Sequence, residues 1–223
     1  MRRAAALSLA GVLAACTAVP PPKVIHEDRS LSVRLIADGR AGAPHGHPVH
    51  LTPGQMTRIL GGLRVLKFSG APPEDLPAEQ REGSAVFSRE EIRAMTPYLI
   101  QAFDQASPSQ LIGFHLAVGP PADPATRPVV TSGGFFVQND HLYVILANYR
   151  TKPFGNAYEG SAISEIDLRS DPLVPIMRGG YTLGFSPSTA TVGAADRGAG
   201  WNFVEEQKVI VIDLARMPAR GME

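Results

Sequence analysis

The strongest constraint on the fold lies between Val129 and Arg150. Mostly apolar and small residues run on both sides of a polar break there, centred on Asn139-Asp140. Asn and Asp are the ordinary side chains that best tolerate the left-handed backbone a two-residue hairpin turn requires. Taking them as the turn pairs Val137 with Leu142, Phe136 with Tyr143 and Phe135 with Val144. One face of that hairpin is wholly apolar. The other carries an aromatic pair and Ile145, so it too is expected to be partly covered.

The rest of the chain supplies short elements in the same style. With 20 prolines and 22 glycines, many turns and few long helices are expected. Leu31, Val33 and Leu35 alternate with Ser32 and Arg34, which predicts a strand. Thr52-Pro53-Gly54-Gln55 is a capping box with proline at the first helical position, followed by Met56, Ile59, Leu60 and Leu63 on one face. Gly61-Gly62 ends that helix, and residues 63–68 alternate as a strand. Ser88-Arg89-Glu90-Glu91 is a second capping box, with Phe87 and Ile92 placed as a hydrophobic staple. Ile92, Met95, Leu99 and Phe103 keep helical spacing, and Pro97 is expected to kink this helix or split it at a fresh cap on Thr96. Residues 111–118, 163–168, 181–185, 201–205 and 209–214 read as further strands. The expectation is an α+β fold: a mainly antiparallel sheet, with two or three helices in the N-terminal half. One globular domain spans 31–216, with a tail at 217–223. Two subdomains meeting near residues 119–127 are the alternative.

The N-terminus carries a different signal. Arg2 and Arg3 form a basic start, residues 4–15 are apolar, and Leu13-Ala14-Ala15-Cys16 closes the run with the chain's single cysteine. Twelve apolar residues fall short of the roughly 20 a membrane-spanning helix needs, so the segment reads as a cleaved signal. Its end resembles the lipobox of bacterial lipoproteins. That resemblance implies cleavage before Cys16 and diacylation of its thiol, with residues 1–15 as signal peptide and 16–30 as a lipidated, proline-rich tether through Pro20-Pro21-Pro22. Thr17, where a retention signal would place aspartate, points to the outer membrane facing the periplasm. The other reading is an ordinary secretory signal with a stray cysteine.

Chemistry-bearing motifs are sparse. Lys plus Arg and Asp plus Glu both number 21, which removes the net-charge argument for nucleic-acid binding. One cysteine leaves no internal disulfide or multi-cysteine metal site. His45, His47 and His50 make the one dense cluster of metal-ligand types, but they sit in or beside a loop that nothing local orders. Ser132-Gly133-Gly134 and Ser186-Pro187-Ser188 read as turns without a nearby base. His115 and His141 fall in strands, and Tyr149-Arg150-Thr151-Lys152 makes a small basic patch. Residues 187–200 form a long loop that could act as a lip, with Trp201 or Tyr181 as an apolar anchor. The expectation is a lipid-anchored, non-enzymatic binding or assembly component. Its partners would be the membrane, through Cys16, and an envelope protein or component, with no nucleic acid, catalytic residue, cofactor or metal. The alternatives are a metal-dependent periplasmic enzyme using His45, His47 and His50, and an accessory subunit of an envelope secretion or assembly machine.

Overall fold

The computed structural model describes residues 22–39, 44–67, 83–119, 128–152, 167–176, 180–193 and 205–217. The fold is mixed α and β, and the strands dominate. A six-stranded antiparallel sheet is built from β1 (Lys23–Glu27), β2 (Leu31–Ala37), β5 (Gln110–Val118), β6 (Val129–Gln138), β7 (His141–Thr151) and β9 (Val209–Asp213), in that spatial order. A second antiparallel sheet places β3 (Leu63–Lys67) between β4 (Ser84–Ala85) and β8 (Tyr181–Phe185). Two α-helices, α1 (Pro53–Gly62) and α2 (Arg89–Gln105), complete the main elements among the described residues.

The central hairpin has the expected register: Val137 faces Leu142, Phe136 faces Tyr143 and Phe135 faces Val144. Asn139 and Asp140 have φ of 50° and 62°, the left-handed pair that a type I′ turn needs. β5 pairs directly with β6, so the strands on either side of residues 119–127 belong to one sheet. On one face Leu35, Ile112, Phe114, Phe135 and Val144 join Met56, Ile59, Met95, Leu99 and Phe103 of the helices in a single core. The opposite face holds a smaller cluster of Leu111, Phe136, Tyr143, Ile145, Val209 and Val211. Both faces of the hairpin are therefore covered.

Both capping boxes form: Thr52 accepts from the Gln55 backbone N–H, and Ser88 from that of Glu91, with reciprocal side-chain bonds. Pro97 does not split α2, which runs unbroken to Gln105. Pro97 lies on the exposed side, and Thr96 is not a cap: its hydroxyl donates to the Ile92 carbonyl within the helix. The buried stripe of Met95, Leu99 and Phe103 carries the helix past the lost hydrogen bond.

Several expectations need correction. The tether expected to reach Ser30 gives way at Lys23 to the edge strand β1, which turns at Asp28 and pairs with β2. Asp28 builds that turn by accepting from the backbone N–H groups of Ser30 and Leu31. Helical structure is not confined to the N-terminal half, because 3-10 turns occur at Ser188–Ala190, Glu206–Lys208 and Leu214–Arg216. Leu214 therefore leaves the strand expected to end there. Asp167 and Leu168, expected to end a strand, belong to a turn in which Asp167 accepts from the Arg169 backbone. Residues 163–166 and 201–204 lie outside the described residues.

Candidate functional site

The histidine segment is not a solvent loop. His45 donates its backbone N–H to the Pro108 carbonyl, Gly46 to Val137 and Val49 to Phe103, which pins the chain across the end of the core. These partners are distant in sequence, so the ordering was not visible locally. His45 and His47 are both buried, with ring centroids 6.0 Å apart at an interplanar angle of 73°. His45 packs near Phe136 and His47 near Phe103. The Nε2 of His45 lies 2.8 Å from the Asp38 carboxylate, itself nearly buried. Nδ1 of His45 and both ring nitrogens of His47 have no hydrogen-bond partner. Burial, reinforced by the neighbouring His45, lowers the His47 pKa to about 4, so its ring is neutral at physiological pH. His50 does not join the pair. Its side chain is 86% exposed and its Nδ1 bonds Asp104 at 2.7 Å. Among the described residues no group of three or more His, Cys, Asp or Glu side chains gathers as a metal site.

A buried polar row crosses the opposite face of the large sheet. Ser32, His115, Ser132 and Asn148 stand on β2, β5, β6 and β7, each opposite the next. Ser132 lies within a strand rather than a turn, and its hydroxyl accepts from the Asn148 amide at 2.9 Å. Residues 167–176 lie over this face as a strap. Asn148 holds the strap as a neighbouring strand would, donating to the Val174 carbonyl and accepting from the Ile176 N–H, both at 2.8 Å. Gly113 and Gly134, paired across β5 and β6, make a trough: a Cβ on the first would meet Ile36 and, at 2.7 Å, Pro172, and one on the second the Ile112 carbonyl at 2.9 Å and Leu173 at 3.0 Å. Arg169 donates to the carbonyls of Asp28 and Arg29, joining the strap to the β1–β2 turn. Burial lowers the pKa of His115, and the positive Arg169 lowers it further against the opposing Asp167. Ser132 is completely buried, so this Ser–His neighbourhood offers no open nucleophile.

Tyr181 is not an exposed anchor. It is buried on β8, donates its hydroxyl to the Leu146 carbonyl at 2.6 Å and meets Tyr149 edge to face. Lys208 is also buried, with Nζ 5.3 Å above the Tyr181 ring and 3.8 Å from Glu205. Burial lowers the Lys208 pKa, opposed by Glu205. Nothing in the sequence around Lys208 marks it for burial. The lip expected at 187–200 begins as ordered chain: Thr191 bridges Ile212 and Val192 donates to the Val211 carbonyl. Residues 194–200, Trp201 and Cys16 lie outside the described residues. The basic patch is partly spent within the fold, since Arg150 donates to Glu91 at 2.8 Å.

An open groove of about 530 Å³ runs between α1 and α2. Pro53, Ile92, Pro97 and Ile100 line it, and Arg89 and Arg93 stand at its edge, both exposed. No known protein family matches this chain, and no curated protein or solved structure matches it.

Proposed function

We propose that this chain is a lipid-anchored bacterial envelope protein, held in the outer membrane by acylated Cys16, that presents a non-enzymatic binding or assembly domain to the periplasm. The N-terminal pattern carries the reading: Arg2-Arg3, the short apolar run and Leu13-Ala14-Ala15-Cys16. One feature of the fold fits it: the described chain takes up regular structure at Lys23, soon after Cys16, on a strand at the edge of the sheet rather than in its middle.

The binding surface in this reading is the helical side, where the groove between α1 and α2 joins apolar walls to two arginines. The buried state of Ser132 and His115 favours binding over hydrolysis. Cys16→Ser tests the anchor. The native chain should incorporate labelled palmitate and stay with membranes at high salt, because two or three acyl chains hold far more firmly than one. The variant should lose the label, and its processed form should become soluble. A processed, unlabelled variant that still pelleted at high salt would rule the lipid anchor out.

A further inference from the structure

We propose that the groove between α1 and α2 seats an acidic, apolar peptide segment of a partner protein, with carboxylates on Arg89 and Arg93 and aliphatic side chains against Ile92, Pro97 and Ile100. This rests on the reading of the helical side as the binding surface, and names what that surface takes. Arg89 and Arg93 are exposed, and neither makes an ion pair or a hydrogen bond among the described residues. Nor does the helix gain from them. Arg89 holds the first position of α2, at the positive end of the helix dipole, and Arg93 follows four residues on, a spacing at which like charges repel. No carboxylate of the two helices offsets them in the groove. α1 contains no acidic residue. On α2, Glu91 is spent on the Ser88 cap and on Arg150, Asp104 meets His50, and Glu90 does not line the groove.

Spacing, hydrogen bonding and layout select a peptide. Arg89 and Arg93 are set about 6 Å apart along the helix axis, so they suit two separate carboxylates better than one phosphate. Pro97 has no N–H, so the Arg93 carbonyl lacks its i+4 helical donor, and both residues line the groove. A peptide brings N–H donors for that carbonyl beside its carboxylates, whereas a phosphodiester brings none. The groove, about 530 Å³, is open to solvent, with the two cations at its edge and Ile92, Pro97 and Ile100 along its length. An apolar centre with charges at the rim is the anatomy of a protein interface, in which the rim charges set register and on-rate. One such groove is smaller than a standard interface, so binding in the micromolar range is expected.

The test selects a displayed library of random short peptides on the full-length Cys16→Ser chain and measures the enriched peptides by fluorescence anisotropy. They should carry two or more Asp or Glu beside aliphatic residues, and when bound they should slow hydrogen exchange in α1 and α2. Arg89→Glu combined with Arg93→Glu should weaken them by about 10-fold or more. Both positions are exposed and glutamate suits the start of a helix, so this variant should melt no lower than the parent, which separates lost binding from lost fold. Peptides with lysine in place of their acidic residues should bind the variant and not the parent, an exchange that a purely structural role for the arginines would not produce. Enrichment of no peptide, enrichment of peptides without acidic residues, or equal binding by the variant would overturn the proposal. So would binding to phosphatidylglycerol vesicles, or self-association, that the variant loses while no peptide is enriched; the groove would then belong to lipid or to a second copy of the chain. Peptides that protect a different surface would overturn it too while leaving a binding domain in place, and the palmitate result decides the anchor separately.

Discussion

At the scale of single residues, His47 ties the fold to pH. Its imidazole binds fewer protons in the folded chain, where the pKa is about 4, than in the unfolded chain, where it is near 6.5. The stability it supports is complete above pH 6.5 and is lost as pH falls towards 4. The full window corresponds to about 3 kcal/mol, an upper bound that local relaxation reduces. Burial of His115 acts in the same direction. Asp28 and Asp167, whose carboxyls are held below their ordinary range by hydrogen bonds from His26 and Ser170, lose their contribution only in stronger acid. Urea midpoints measured from pH 7.5 to 4.5 should fall steadily in the parent chain, and more shallowly in His47→Phe. Equal midpoints across that range would mean that His47 reaches water in the native state.

Among elements, the β6–β7 hairpin and the strap differ in how their positions are encoded. Val137 and Leu142 face each other on the helix-packed side, both buried. Aspartate at either position should cost several kcal/mol, about 3 or more for a buried unpaired charge, and lower the melting temperature sharply. The strap predicts a local effect instead. Gly113→Val would drive a side chain into Ile36 of β2 and Pro172 of the strap, lift residues 167–176 and speed tryptic cleavage after Arg169. An unchanged cleavage rate would mean that the glycine trough does not seat the strap. The hairpin was legible because alternation and the Asn139-Asp140 turn are local signals, and the two capping boxes were legible for the same reason. β1 was hidden because it follows a proline-rich run, and the strap because Asn148 and paired glycines on other strands define it. The histidine segment misled in a similar way. Its burial depends on carbonyls of Pro108, Val137 and Phe103, far along the chain, while the adjacent Gly and Pro suggested solvent. Of the residues singled out beforehand, His45 and His47 come together, His50 stands apart and Tyr181 turns inward.

For the whole molecule, the six-stranded sheet sets a gradient of stability. β5, β6 and β7 are interior strands covered on both faces, whereas β1 has one neighbour and largely exposed or half-buried residues. Native-state hydrogen exchange should find the slowest amides in the interior strands and much faster exchange along β1, in keeping with opening that follows local packing. Protection of β1 equal to that of β6 would contradict this order. The edge position of β1 has a mechanical consequence if Cys16 is the membrane attachment. Tension from the envelope would enter at Lys23, the free end of β1, and peel the strand from β2. The four residues ahead of Glu27, released at about 3.3 Å each, would lengthen the connection by about 13 Å. Peeling would then reach Glu27, Asp28 and Arg29, gripped by Arg34 and Arg169 from β2 and the strap. A pull on the anchor would be absorbed as extension at one edge, while the remaining strands keep their register.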